Sequence, residues 1–327
     1  MGALTPGSTV RVSVPASTAN LGPGFDAVGL GLGIRDGYAV QVLPAGAGLE
    51  VVLEGEGAQD LPADGRHLVA RHLREAVETS GHGWLEGYGL RLTCRNRIPM
   101  SAGLGSSATA IVGGLGLGFA LARGGELTEA DLALVNTHAG IAEGHPDNSS
   151  ASVYGGLTVS WMPSAAVVRT ARPVPHPDLV PVVLVPRDTR VDTATARAVL
   201  GPQVPRPDAV RQAGRAALLV HALTADPSVL LDATQDWLHQ ERRRDVYPVT
   251  MAAVDTLRSQ GHAAVVSGAG PTVLCLTTTD LVDVVVAEAR SWGRGWKVRT
   301  PGVARHGLTV VDPPGAGADT DREGARW

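Results

Sequence analysis

Aromatic residues make up only 4% of this 327-residue chain, so Val, Leu and Ala have to fill its core. Cysteine is nearly absent as well. Cys94 and Cys275 each stand in an apolar, strand-like run, which reads as two reduced core residues and excludes a disulfide-stapled secreted scaffold. There is no surplus of positive charge: the formal net charge is -4, and basic residues are scattered apart from Arg242, Arg243 and Arg244. A nucleic-acid footprint is therefore missing. No apolar run approaches the ~20 residues that span a bilayer, and no basic, then apolar, leader opens the chain. Pro6 stands where a myristoylation pattern needs Ser or Thr. These absences lead us to expect a globular, cytoplasmic protein with no membrane or nucleic-acid partner.

What is present is enough apolar sequence, 44% of residues, to bury a sizeable core, on a chain long enough for two domains. Short β-rich runs (Thr9 to Val14, Tyr38 to Pro44, Leu49 to Glu54, Gly89 to Arg95, Leu157 to Trp161) alternate with helical stretches such as His67 to Thr79. A long apolar helix is expected after Gly105, and its Gly113, Gly114, Gly116 and Gly118 imply close packing against another backbone. A Pro-rich stretch from about Val167 marks the expected domain boundary, followed by a strand at Val182 to Val185. Helices are expected at Arg211 to Leu223, at Pro227 to Arg243 with Asp226 as cap, and at Val249 to Gln260. Strands follow at Ala263 to Val266 and Thr272 to Leu276, then a helix opened by Asp280 and a strand at Leu308 to Val311. The Gly/Pro-rich end, 313–327, reads as a disordered tail.

Four segments could carry chemistry. Pro99-Met100-Ser101-Ala102-Gly103-Leu104-Gly105-Ser106-Ser107-Ala108 places a Gly/Ser loop between a strand and the long helix. Its glycines let backbone approach an anion, and a helix N-terminus offers free N–H groups. Without a following Lys it is not a GxxxxGK[ST] loop, and alone it could be only a helix cap. Glu143-Gly144-His145-Pro146-Asp147-Asn148 gathers two carboxylates and an imidazole; beside a phosphate site these could hold a metal or orient a hydroxyl, although alone it reads as an ordinary turn. Pro15 to Asp26 is dense in polar groups and glycine, and Ser267-Gly268-Ala269-Gly270-Pro271-Thr272 joins two late strands either as a hairpin turn or as a ligand-contacting loop.

Together, in this order and spacing, the four segments resemble those of the homoserine kinases, members of the GHMP kinase superfamily, over roughly Val10 to Leu276. PASTANLGPGFDAVGLGL looks like their N-terminal signature, PMSAGLGSSATA like the superfamily ATP loop, EGHPDN like the acidic segment and SGAGPT like the C-terminal glycine motif. The resemblance implies a two-domain α+β fold: an N-terminal mixed α/β ATP-loop domain over 1–166 and a C-terminal ferredoxin-like domain over 167–312. It implies ATP held by Pro99 to Ala108, with His67-Leu68-Val69 near adenine where many relatives have Asn-Leu-Val, and Mg²⁺ on Ser106 and Glu143. It implies L-homoserine, phosphorylated on its side-chain hydroxyl, contacted by Asn20, Asp26 and His145, gripped at its carboxylate by Arg197 and Arg243, and closed in by Gly268 and Gly270. Asp147 and Asn148 would act on or orient the hydroxyl. The relatives are often homodimers.

The chain departs from that pattern in three places. Glu241 and Arg242 precede Arg243 where Pro and an aromatic are usual, leaving the choice between the two arginines open. Gln212 replaces a common Asn, and DNSSAS replaces DNVAPA. A kinase of the same superfamily acting on another hydroxy acid is the alternative reading. The run Gly22-Pro23-Gly24-Phe25-Asp26-Ala27 loosely matches a dinucleotide-binding turn, but Pro23 interrupts it and no acidic residue ends a second strand about 20 residues on. A serine hydrolase would need GxSxG around Ser106, Ser107 or Ser267, which is missing.

Overall fold

The computed structural model describes residues 5–81, 88–191 and 193–311, and the tail at 313–327 lies outside the described residues. Two sheets organise it. β1 (Thr9–Ala19) opens with Val10, Val12 and Val14 on its buried face and pairs antiparallel with β2 (Val28–Leu43), with a register shift between Pro15 and Ala16. β2 starts well before the expected Tyr38. Its Gly29, Gly31 and Gly33 face other backbones: a Cβ on Gly29 would stand 2.1 Å from the Asp147 carbonyl oxygen, and one on Gly33 2.3 Å from that of Pro301. Glycine there weakens the strand locally but lets those segments lie directly on it.

β3 (Leu49–Gly55), α1 (Leu68–Thr79) and β4 (Gly89–Asn96) form a crossover unit, β3 pairing parallel with β4 and β4 antiparallel with β2. α2 (Ser106–Arg123), α3 (Glu129–Glu143) and α4 (Asp147–Tyr154) follow. By length and composition α2 could cross a bilayer, but 72% of it is buried within the protein. Its glycines explain how: a Cβ on Gly114 would meet the Val69 carbonyl oxygen at 2.5 Å, and one on Gly118 that of Leu73 at 2.6 Å, so α2 lies backbone to backbone on α1. β5 (Leu157–Ser164) joins the start of β2, and β6 (Val167–Ala171) joins β5. The first sheet thus runs past residue 166, and the change of sheet falls in the Pro-rich stretch after Ala171, not at the expected 166/167 step.

The second sheet holds β7 (Leu179–Pro186), β8 (Ala263–Val266), β9 (Val273–Thr278) and β10 (Trp296–Arg299) in the order β10-β7-β9-β8, all antiparallel. Between β7 and β8 lie α5 (Thr193–Ala198), α6 (Arg206–Thr224), α7 (Leu230–Ala233) and α8 (Pro248–Ser259), and α9 (Val282–Ser291) links β9 to β10. This is the expected ferredoxin-like βαββαβ arrangement with helical insertions. The chain then returns, and β11 (Thr309–Val310) pairs with β1.

The helix expected over Pro227 to Arg243 is broken. Asp226 does cap its start, accepting from the Ser228 amide, but α7 ends at Ala233 and a 3₁₀ turn covers Glu241–Val246. Between them the Asp236 carboxylate accepts from the amides of Leu238, His239 and Gln240. Those amides are diverted from helical partners, the usual way a short acidic side chain competes with a helix.

Candidate active site

The start of the Pro99–Ala108 loop is held by Asp36, whose carboxylate accepts from the Arg97 amide at 2.6 Å, the Ile98 amide at 3.0 Å and the Tyr38 hydroxyl at 3.0 Å. Burial raises its pKa to about 6 against those bonds. Along the loop, φ is left-handed at every second residue, Ser101, Gly103 and Gly105, an alternation that turns amides inward to make an anion-binding concavity. Gly105 caps α2 with no side-chain hydrogen bond, so the first-turn amides of Ser106, Ser107 and Ala108 are left uncapped by side chains, an arrangement that suits an anion with the helix dipole behind it. Leu104 and Ala108 are buried, anchoring the loop from the core side.

Gly103 is where the two domains meet. A Cβ there would stand 2.3 Å from the Ser267 carbonyl oxygen and 2.8 Å from that of Gly270, at a φ of +76°. The Ser267 hydroxyl donates to the Gly103 carbonyl at 2.6 Å and pairs with Thr18 at 2.8 Å. Gly103→Ala should therefore push the phosphate loop off the second domain; we expect at least a 10-fold rise in KM for ATP and a melting temperature several degrees lower, read by nucleotide titration and thermal melts.

One cleft of about 700 Å³ is lined by the loop from Met100 to Ala102, Gly103, Gly105, Ser106 and Ser107, by His67, Leu68 and Val69, by Glu143, His145, Asp147 and Asn148, and by Asn20, Arg197, Arg243, Gly268 and Gly270. Pro99, Leu104, Ala108 and Asp26 are the expected site residues that do not line it. At one end buried His67 caps α1, its Nδ1 accepting from the Val69 amide at 3.3 Å, and burial lowers its pKa.

α3 runs into Glu143 and stops at Gly144, which takes the left-handed conformation. The Asp147-Asn148 pair, readable alone as a turn, opens α4 instead, seated on the glycines of β2. Oε2 of Glu143 is shut away from solvent with no hydrogen-bond partner. Burial, with a smaller push from Asp147, carries this carboxyl up to about 8, against the pull of His145 and Arg197. A buried carboxylate oxygen without a partner, facing a phosphate loop, fits a divalent cation.

Because folded Glu143 holds its proton more tightly than the unfolded chain does, its contribution to stability is present at low pH and lost as pH rises through about 8. In EDTA, melting temperature should fall between pH 5 and 8, and Glu143→Gln should remove that component of the slope; parallel slopes would refute it. Next to Glu143, the His145 Nδ1 and Asp147 Oδ1 lie 2.7 Å apart. Burial disfavours the imidazolium, but Asp147 and Glu143 outweigh it and raise the His145 pKa. Asn148 is fixed by Ser17, whose hydroxyl donates to its Oδ1 at 3.1 Å. The substituted serines of α4 are buried and bonded, Ser150 to Asn136 at 2.7 Å and Ser152 to Ser17 at 3.4 Å, so the DNSSAS departure lies behind the cleft. Among the described residues, Asp26, His145 and Asp147 bring ligand atoms within 4.8 Å of one another, a different set from Ser106 and Glu143. In that set Asp26 is taken by Arg197 and Asp147 by His145.

At the other end Asn20 links three segments: its side-chain amide donates to the Gly268 carbonyl at 3.0 Å and its Oδ1 accepts from the Asp26 amide at 3.0 Å. Asp26 and Arg197 form a two-point pair at 2.5 and 3.2 Å. Arg243 is only 1% exposed, donates through Nε to the Ala196 carbonyl at 2.7 Å, and lies with Arg197 about the Phe25 ring, each 5.7 Å from its centre. Arg242 is exposed, so the cleft takes Arg243. Among the described residues no carboxylate lies within ion-pair distance of Arg243. Gln212 is buried outside the cleft, donating to the Pro23 carbonyl and Asp236 and accepting from the Trp237 amide; this substitution braces the Pro23 loop. Sequence reading passed over Ser17, Phe25, Asp36 and His239, whose partners are distant in the chain.

The chain matches the GHMP kinases N terminal domain over residues 67–156 and the GHMP kinases C terminal domain over 219–295. A homoserine kinase of Streptomyces coelicolor is 47% identical over 96% of this chain and 97% of its own. The chain belongs to the homoserine kinase family. Another member, from Rhodococcus erythropolis, is 46% identical over 88% of this chain and 92% of its own. Among solved structures, homoserine kinase from Cytophaga hutchinsonii superposes with a TM-score of 0.80 at 22% identity, covering 95% of this chain and 99% of that one. Mevalonate kinase from L. major superposes at 0.64 and 16% identity, over 91% and 96%. These neighbours share the two-domain fold, with the cleft above at the junction of the two sheets.

Proposed function

We propose that this protein transfers the γ-phosphoryl group of ATP to the side-chain hydroxyl of L-homoserine, forming O-phospho-L-homoserine and ADP, a step toward threonine. The observation that carries this reading is Arg243: a guanidinium 1% exposed, lining the cleft that holds the phosphate loop, with no carboxylate of the described residues beside it. A buried charge without a counter-charge is costly, and an amino-acid carboxylate supplies the missing partner in a form that arginine's planar fork matches. Arg197 would share that carboxylate when its Asp26 partner turns to the substrate ammonium, with Asn20 and His145 alongside and Gly268 and Gly270 closing the pocket.

Opposite, the amides of Ser101 to Ala108 would hold the β- and γ-phosphates, and His67, Leu68 and Val69 the adenine. Ser106 and Glu143 would hold Mg²⁺, which supplies neutralisation of phosphate charge when bound. Asp147 is held by His145 and the Asn148 amide, and with Asn148 it would orient the attacking hydroxyl. Such positioning supplies most of what phosphoryl transfer requires. A cytoplasmic setting goes with this reading, since free buried thiols such as Cys94 and Cys275 stay reduced there.

The test is ADP release from Mg-ATP with L-homoserine, L-threonine, L-serine and mevalonate as separate acceptors. Homoserine-dependent ADP with phosphohomoserine as product is expected; turnover only with another acceptor would overturn the substrate and keep the kinase.

A further inference from the structure

His239 has no assigned role, yet it links the turn that holds Asn20 and Asp26 to Arg243. Its ring is fully enclosed. Nε2 lies 2.8 Å from the Gly22 carbonyl oxygen, and Nδ1 lies 3.2 Å from Nη1 of Arg243. A carbonyl oxygen only accepts, so Nε2 carries the hydrogen. A guanidinium only donates, so Nδ1 presents its lone pair. The neutral Nε2–H tautomer is the one form that satisfies both neighbours. Burial first, and the Arg243 charge, push the pKa down in the same sense, against Asp236 and Asp26.

Three contacts then fix the Arg243 guanidinium. Nε is tied to the Ala196 carbonyl, Nη1 to His239, and the face lies over Phe25, whose ring stacks on His239 at 5.0 Å and 27°. His239 is itself held through its backbone amide, which donates to Asp236 Oδ2 at 3.0 Å. Gly22 belongs to the same turn as Asn20 and Asp26. The ring therefore sets the distance between that turn and Arg243. We propose that His239 is a positioning residue that orients Arg243 toward the acceptor carboxylate, registers it against the Asn20–Asp26 turn, and thereby makes the enzyme selective for a carboxylated acceptor. The proposal rests on the homoserine reading above.

Two variants separate this from a merely structural role. In His239→Gln the side-chain amide can reach the Gly22 carbonyl but leaves Nη1 of Arg243 without its acceptor; His239→Asn keeps an acceptor beside that Nη1 and loses the Gly22 contact. Losing one hydrogen bond to a charged group corresponds to a KM change of about 10- to 100-fold. With wild type, both variants, Mg-ATP, and either L-homoserine or 3-aminopropan-1-ol, which lacks the carboxylate, we expect His239→Gln to raise KM for homoserine by at least 10-fold. KM for ATP should stay within about 2-fold, and the preference for homoserine over the amino alcohol should shrink. His239→Asn should recover most of that loss. If the Gln variant does not fold, Phe25→Leu removes the ring beneath both guanidiniums and must raise the same KM. Equal rises in both KM values, or no rise for homoserine in a variant whose wild type is active, would overturn the proposal alone. A wild type that ignores homoserine would overturn it together with the substrate reading.

Discussion

Glu143→Gln is expected to lower kcat by about 100-fold or more, the scale on which removing one preorganised electrostatic group acts, while leaving the melting temperature unchanged or raised. Both halves follow from the same oxygen. Oε2 is buried with no partner, and burial drives the carboxyl up to about 8, so without a cation the group keeps its proton at neutral pH, and the proposed Mg²⁺ would replace that proton. Gln keeps the shape of α3's last residue and removes the charge. ADP release at saturating Mg-ATP and homoserine, with a thermal melt on the same sample, decides the matter: full activity would sink the metal assignment. A lower melting temperature would show instead that Glu143 holds the turn into α4.

Arg243→Lys is expected to raise KM for homoserine by about 100-fold, the equivalent of two charge-assisted hydrogen bonds at roughly 1.5 kcal/mol each. KM for ATP should stay within about 2-fold. Lysine keeps the positive charge, so the loss measures the fork, which a compact ammonium cannot reproduce. It also cannot reach Ala196, His239 and a carboxylate together. Initial rates over a homoserine series at fixed Mg-ATP give the split; an unchanged KM would move the carboxylate site to Arg197 alone.

The segments that could be read from the sequence are those whose chemistry is local. A Gly/Ser run at a helix start declares an anion site because amides and dipole come with the helix itself, and the loop at Ser101 to Gly105 has that geometry. The glycines from Gly113 to Gly118 declared a close approach of another backbone, and at Gly114 and Gly118 that backbone is α1, while Gly113 and Gly116 make room for the Tyr38 and Leu308 side chains. Where the signal was local but competed with a distant partner, the reading failed. Asp147-Asn148 looked like a turn because its stabilising contacts are with β2, more than a hundred residues earlier. Gly29 to Gly33 looked unlike a strand because the backbones it accommodates, at Asp147 and Pro301, are far away in sequence. The stretch after Ala233 looked helical because Asp236 gives no hint in sequence of which amides it will take.

Sequence alone therefore determined the α+β class and the family, and it marked the loop that we propose holds phosphate, since these rest on backbone-permissive residues at fixed short spacing. Tertiary structure alone decided that Arg243 and not Arg242 enters the cleft, that Ser17 and His239 stand behind the residues facing it, and that Gln212 braces the Pro23 loop instead of lining the pocket. In Arg242 and Arg243 the side chains are the same and the neighbours nearly so; burial, hydrogen-bond partners and counter-charges that separate them come from elements brought together only when both sheets have closed on the cleft.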